Sequence, residues 1–88
     1  MNRKEKYYNF IVDDLLKKTE IDYEKEEISF PSSFLSSSPF SFSSLLLYPS
    51  HPYLFSKYLK DLYGTRDEEV RTIWKLYKER IQSLIDNG

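Results

Sequence analysis

The chain lacks cysteine and alanine, and it contains only two glycines and one histidine. Without cysteine there is no disulfide, no thiolate nucleophile and no zinc site built on sulfur. A single histidine, His51, leaves little room for a histidine-built metal centre. The glycines, Gly64 and Gly88, are too far apart to form a glycine-rich phosphate-binding loop. These absences make an enzyme the least expected class, and the sequence predicts no catalytic, cofactor or metal site.

Charge is balanced over the whole chain but unevenly distributed along it. The 88 residues carry 13 basic and 14 acidic side chains, for a net charge of -1, which argues against a polycation that binds DNA or membranes nonspecifically. Residues 28–56 carry no charged Asp, Glu, Lys or Arg side chain, and they hold all four prolines and eleven serines. No apolar run approaches the roughly 18 residues of a transmembrane helix. Asp13 and Asp14 interrupt the sequence that follows the basic N-terminus, so we expect no secretory signal. We therefore expect a cytoplasmic protein.

Composition also points to an A/T-rich genome. Phe, Tyr, Met, Ile, Asn and Lys, whose codons are A/T-rich, supply 33 of the 88 residues. Gly, Ala, Arg and Pro together supply only 10. A phage, an organelle or an AT-rich microbe fits this usage, which concerns the source of the chain and carries no information about its function.

The last third of the sequence predicts a helical hairpin. Apolar residues recur at three- and four-residue steps over 66–85, which indicates a helix, and Thr65 with Glu68 forms a capping-box pattern. A second helix over 52–63 begins at Pro52 and ends at Gly64, which suits a left-handed residue. We expect the rings of Trp74 and Tyr77 to pack on one side of the 52–63 helix. That side carries Tyr58, Leu59 and Leu62.

The first third predicts one helix and a possible hairpin. Residues 3–18 have an apolar side, and Ile21 and Tyr23 then alternate with polar residues, as do Ile28 and Phe30, which is typical of paired strands. The fold prediction is therefore a mainly α single domain over 1–88, with three helices, a possible small β-hairpin and an aromatic, serine-rich central loop. Its parts are 1–30, 31–51 and 52–88.

The uncharged segment in the middle of the chain combines serine with large apolar side chains, whereas disordered segments usually lack large apolar side chains. We expect an ordered loop or a short strand there, which covers either the protein's own core or a partner. Aromatic residues are enriched and charges depleted at the centres of protein interfaces. The candidate partner-binding residues are Phe34, Phe40, Phe42, Leu46 and Tyr48.

Catalytic and metal-binding alternatives rest on weak patterns. Ser50 and His51 are the only Ser-His neighbours, but they lie in the uncharged stretch, and a helix-entry turn explains them well enough. The carboxylate clusters at 13–14, 24–27 and 67–69 lack the spacing of a calcium loop. Solvated turns and the helix dipole explain the second and third clusters.

A nucleic-acid role is a further alternative. The helical hairpin has the spacing of a helix-turn-helix, but the second helix would present three carboxylates to the phosphates, which repel them. Arg71, Lys75 and Lys78 form a basic line on the last helix, which could contact nucleic acid or an acidic partner. A solvated helix face with ion pairs at four-residue spacing, Asp67 to Arg71 and Lys75 to Glu79, explains the same residues.

Four segments resemble small proteins of T4-like phages that infect marine cyanobacteria: TEIDY at 19–23, ISFP at 28–31, FSKYLKDLYG at 55–64 and IWKLYKERI at 73–81. The resemblance covers most of the chain and specifies no chemistry. One family of that class, the late-transcription coactivators, binds host RNA polymerase through helices and the sliding clamp through a hydrophobic C-terminal tail. This sequence ends in LIDNG, which departs from the aromatic clamp-binding tail, so no individual residue is carried over.

These observations favour a non-enzymatic interaction protein that binds a larger protein partner, in the host cytoplasm if the chain is phage-encoded. A transcription-accessory factor that contacts RNA polymerase or nucleic acid is the second hypothesis. A virion or assembly component that self-associates through the aromatic segment is the third.

Overall fold

A computed structural model describes residues 3–30, 40–43 and 52–87. In chain order it contains helix α1 (Arg3–Lys17), strands β1 (Glu20–Asp22), β2 (Glu27–Ser29) and β3 (Phe40–Ser41), helix α2 (Pro52–Tyr63), a 3-10 turn (Asp67–Glu69) and helix α3 (Val70–Asn87). The described part is thus mainly helical with a small antiparallel sheet, which confirms the predicted fold class. No helix within it is both long and apolar enough to cross a membrane.

Helix α1 forms because its apolar residues repeat on one side, where Ile11, Val12 and Leu15 are completely buried. Thr19, two residues after the end of the helix, donates its hydroxyl proton to the Leu15 carbonyl oxygen at 2.7 Å. The same carbonyl oxygen accepts the Lys18 N–H at 3.1 Å, so two hydrogen bonds hold the chain at the point where it leaves the helix.

The predicted β-hairpin is present and gains a third strand. β1 pairs with β2 and β2 with β3, both antiparallel, so that Ile28 lies opposite Ile21 on one side and Phe40 on the other. Ile28 is completely buried and anchors the sheet to the core. Residues 40 and 41 of the uncharged segment thus form a short strand, which is one of the two expectations for that segment beside an ordered loop.

The connection between α2 and α3 confirms one expectation and corrects another. Gly64 adopts the left-handed conformation (φ 70) and its N–H donates to the Lys60 carbonyl oxygen at 2.9 Å, which ends α2 as predicted. The capping pair lies one residue later than expected. The Arg66 N–H donates to Glu69 Oε1 at 2.9 Å, and the Glu69 N–H donates back to the Arg66 carbonyl oxygen. Thr65 is buried instead.

Trp74 lies where α2, α3 and the segment after β2 meet. Its ring makes edge contacts with Phe55 at 5.4 Å and Tyr77 at 5.9 Å between centroids, and a tilted contact with Phe30 at 6.2 Å. Aromatic pairs at these separations add to the free energy gained by burial alone. The helical hairpin therefore packs around aromatic rings, as the sequence predicts.

The expected contact of Leu62 with this aromatic group is wrong, because Leu62 is 52% exposed. Phe55 and Leu59 are completely buried, and the next residue at four-residue spacing is Tyr63. Side chains four apart stack on one helix face, so Tyr63 continues the inward row and Leu62 is turned to its flank. Tyr63 packs against the core in its place.

Candidate functional site: an aromatic surface on the hairpin and the last helix

The predicted partner-binding segment is described only in part. Phe42 is half-buried, and its ring meets that of Tyr23 edge-on at 6.4 Å. Phe40 pairs through its backbone with Ile28 in the sheet. The remaining three candidates lie outside the described residues: Phe34, Leu46 and Tyr48.

Tyr23 joins Phe42 to the end of α3. Its hydroxyl donates to the Leu84 carbonyl oxygen at 3.2 Å, and this carbonyl belongs to the last turn of the helix. Tyr23 is 47% exposed and Leu84 is 45% exposed. We call the group Tyr23, Phe42 and Leu84 the hairpin surface.

Local turn geometry positions Tyr23 and Phe42. The Lys25 N–H donates to Asp22 Oδ1 at 3.0 Å, which is an Asx-type turn, and Glu26 adopts a left-handed conformation with φ 55. The Glu26 carbonyl oxygen then accepts the Phe42 N–H at 3.0 Å. The strained residue in the hairpin turn thus fixes the backbone of Phe42 beside the Tyr23 ring.

The hairpin surface has an uncharged centre with charged side chains around it. Ser41 and Ser43 flank Phe42, and their hydroxyls lie 3.0 Å apart. Exposed charges occur in the turn at 24–26 and at Asp86. An apolar centre with a polar rim is the usual arrangement of a protein-binding patch.

Sequence reasoning did not single out Tyr23 and Leu84 as binding residues. Tyr23 fits the alternation of a strand, and Leu84 fits the apolar stripe of α3. The stripe runs further than the core does, because Ile81 is the last completely buried residue of α3 while the helix continues to Asn87. Ile85 still packs against the core, whereas Leu84 beside it is exposed, so the apolar stripe alone does not separate Leu84 from the core residues.

The basic line occupies one side of α3, at spacings of three and four residues. Arg71 and Lys75 are exposed and Lys78 is half-buried. The expected ion pair between Lys75 and Glu79 is wrong, since neither residue forms an ion pair with any residue that the structure describes. The side chain of Asp67 accepts a hydrogen bond from the Ser56 hydroxyl at 2.9 Å.

The acidic cluster at 13–14 is divided between two structural contacts. Asp13 pairs with Arg80 at 2.8 Å, whereas Asp14 accepts a hydrogen bond from Tyr63 and pairs with Lys18 at 3.2 Å. The Tyr63 hydroxyl, followed by Lys18, lowers the pKa of Asp14 below its usual 3.8. The pKa of Tyr63 is raised, first by burial and then by its bond to Asp14. Both groups therefore keep their ordinary ionisation near neutral pH, and their contact joins α1 to α2.

Two tyrosines of α1 join the same region to the loop that follows α2. Tyr7 donates to the Tyr63 carbonyl oxygen, and Tyr8 donates to Glu69 Oε2 at 2.9 Å. Glu69 therefore receives hydrogen bonds from Tyr8 and from the Arg66 N–H, which together lower its pKa below 4.5. These bonds connect α1 to the end of α2 and to the 3-10 turn before α3. The carboxylate of Glu69, like those of Asp13 and Asp14, therefore has a structural partner.

No group of three His, Asp or Glu side chains close enough to hold a metal ion occurs among residues 3–30, 40–43 and 52–87. Ser50 and His51 lie outside those ranges. Comparison with protein-family models, curated proteins and solved structures gives no match to this chain.

Proposed function

We propose that this protein is a non-enzymatic binding module of the cytoplasm, which docks on a larger protein through the hairpin surface, the uncharged segment that continues from it and the helical hairpin. The observation that supports this proposal is the exposure of two large side chains, Tyr23 and Leu84, at residues joined by the bond from the Tyr23 hydroxyl to the Leu84 carbonyl oxygen, with the Phe42 ring against that of Tyr23.

The fixed geometry of the hairpin surface favours binding. The Tyr23 ring is held by its hydroxyl bond to Leu84 and by the edge contact with Phe42. Ordering a mobile side chain at an interface costs roughly 0.5–1.5 kcal/mol, and a ring that is already held avoids most of this cost. Tyrosine is also enriched among the residues that dominate interface energies.

The test compares substitutions on and off this surface. Leu84→Ser removes an apolar side chain outside the core, and Phe42→Ser removes the neighbouring ring. Phe10→Ser is the matched control, since Phe10 is 64% exposed on α1 and has Lys6, Asp13 and Asp14 as helical neighbours. A partner captured from host lysate is purified and titrated with each variant.

We expect Leu84→Ser and Phe42→Ser to weaken the complex at least about tenfold, which is the effect of truncating a residue that contributes strongly to binding. The Phe10→Ser affinity should match that of the parent. Equal affinities for all three variants, each shown by circular dichroism to be folded, would count against the proposal.

The basic line supports a second candidate, a transcription-accessory factor that contacts nucleic acid or an acidic surface of RNA polymerase. Arg71 and Lys75 are exposed on one side of α3, and Lys75 has no acidic partner among the described residues. If these cations contact phosphates, binding to duplex or single-stranded DNA weakens steeply with salt. Lys75→Gln should reduce that slope, with Lys25→Gln in the hairpin turn as the control. Weak binding with no salt dependence would exclude direct contact with DNA.

A further inference from the structure

Helix α2 carries apolar side chains on its outer side as well as on its buried side. Leu54 is 39% exposed and Leu62 is 52% exposed, with the half-buried Tyr58 between them at four-residue spacing. Residues at this spacing form one row along a helix. A parallel row beside it consists of Tyr53, Lys57 and Asp61. Tyr53 is 72% exposed, which makes its ring the most exposed aromatic ring of the described residues. We call these two rows the outer α2 face: Tyr53, Leu54, Lys57, Tyr58, Asp61 and Leu62.

The buried side of α2 is already used by the protein's own core. Phe55 and Leu59 are completely buried, and Phe55 contacts the ring of Trp74. Tyr58 is half-buried and also packs against this core, so the exposed apolar side chains of the outer side are those of Tyr53, Leu54 and Leu62. Surface helices usually present polar residues on that side, so a row with leucine at both ends is unusual for one exposed to water.

Charges on the outer α2 face are complementary to the same face rotated by 180°. Lys57 and Asp61 are exposed and stand four residues apart in one row. Neither takes part in an ion pair with any described residue. When two copies of a helix pack antiparallel about a two-fold axis, the same side of each helix faces the other copy. A residue before the midpoint of one helix then lies opposite a residue after the midpoint of the other. This places the ammonium group of each copy near the carboxylate of the other.

We propose that a second copy of this chain docks on the outer α2 face, so that two α2 helices pack antiparallel. Leu54 then lies against Leu62 of the partner subunit, and Lys57 lies near Asp61 of the partner subunit. The same contacts occur twice because the interface is isologous. One 12-residue helix offers much less than the roughly 800 Å² per partner of a standard interface, so association is weak and depends on concentration.

Sedimentation equilibrium of the full chain, from about 10 μM to about 1 mM, measures this association in the range expected for a small interface. The average mass should rise from 10.6 kDa towards twice that value. Leu62→Lys should weaken association at least about tenfold, because it places a charge in the apolar row. Leu84→Lys is the control, since Leu84 is similarly exposed but belongs to the hairpin surface.

A charge-reversal pair tests the orientation of the two helices. Lys57→Asp and Asp61→Lys each place like charges together and should weaken association severalfold at low salt. The double variant restores opposite charges in the reversed order, so its association should recover to that of the parent. A non-specific apolar contact would not show this recovery.

Three outcomes would overturn the inference: a parent protein that stays monomeric at the highest concentration, single charge variants that associate like the parent, or a double variant that does not recover. Association that is lost in Leu84→Lys but kept in Leu62→Lys would assign self-association to the hairpin surface instead. The result is separable from partner binding through the hairpin surface, because the α2 variants leave Tyr23, Phe42 and Leu84 unchanged.

Discussion

The hydroxyl of Tyr77, in the middle of α3, meets the hydroxyl of Thr19, just after the end of α1. The Thr19 proton is already used, since it is donated to the Leu15 carbonyl oxygen at 2.7 Å. A threonine hydroxyl donates one proton and accepts on its lone pairs, so Tyr77 is the donor between the two hydroxyls. Burial raises the pKa of Tyr77 above its usual 10.0, which keeps that proton in place. One polar atom of a buried ring thus connects two helices.

Replacing Tyr77 with phenylalanine should lower the free energy of unfolding by about 1–2 kcal/mol, because a buried hydrogen bond is lost while the ring stays. Thr19→Val removes the same bond from the other side, so the double variant should be less destabilised than the sum of the two. Urea unfolding of all four proteins measures this coupling. Additive effects, or a Tyr77→Phe protein as stable as the parent, would contradict the contact.

Two leucines of α2 form a matched pair that tests which side of the helix is buried. Leu59→Ala should cost about 2–4 kcal/mol, because Leu59 is completely buried and its loss leaves a cavity. Leu62→Ala should change the free energy of unfolding by less than about 1 kcal/mol, because Leu62 is half exposed. Both values come from urea unfolding at low protein concentration, where association through the outer α2 face is negligible. Equal costs at the two positions would contradict the assignment.

Helix positions followed from the sequence because their signals are local. Apolar spacing located all three helices, and Gly64 marked the end of α2, since a left-handed residue without a side chain is favoured there. The hairpin was also predictable from alternation in short segments. These features depend on residues a few positions apart.

Features that depend on distant residues were not predictable in the same way. Leu62 and Tyr63 both fit an apolar stripe, and the bond of Tyr63 to Asp14 shows that α1 packs on the side of α2 that carries Tyr63. Tyr23 and Leu84 meet although 61 residues separate them. No local pattern indicates that the hairpin turn lies beside the last turn of α3, so the hairpin surface became visible only in the folded chain.

Gly64 offers a test of backbone conformation alone. Its φ of 70 is unfavourable for residues with a side chain, and a Cβ added there has no other atom within 4 Å. Gly64→Ala should therefore cost about 1–2 kcal/mol through the left-handed conformation and not through a clash. Gly64→Asn should cost less, because asparagine tolerates this region better than alanine. Thermal unfolding of both variants gives the comparison, and an alanine variant as stable as the parent would contradict the assigned conformation.

The pH dependence of stability should report the hydrogen bonds of Glu69. The Arg66 N–H, and then the Tyr8 hydroxyl, hold its pKa in the folded protein below the usual 4.5. The unfolded chain therefore binds more protons near that pH, and folding stability falls as the pH drops from about 4.5 through the folded-state pKa. Above that window the contribution of the ionised carboxylate is complete.

Glu69→Gln should therefore be less stable than the parent at neutral pH, and the difference should shrink as the carboxylate of the parent becomes protonated in acid. Glu79→Gln is the matched control, because Glu79 is an exposed glutamate in α3. Urea midpoints between about pH 7 and about pH 3 measure both series. Tyr8→Phe should raise the Glu69 pKa seen by NMR titration of the carboxyl carbon, since it removes one of the two donors. An unchanged titration would mean that the Tyr8 hydroxyl does not stabilise the carboxylate in solution, and that the backbone bond from Arg66 acts alone.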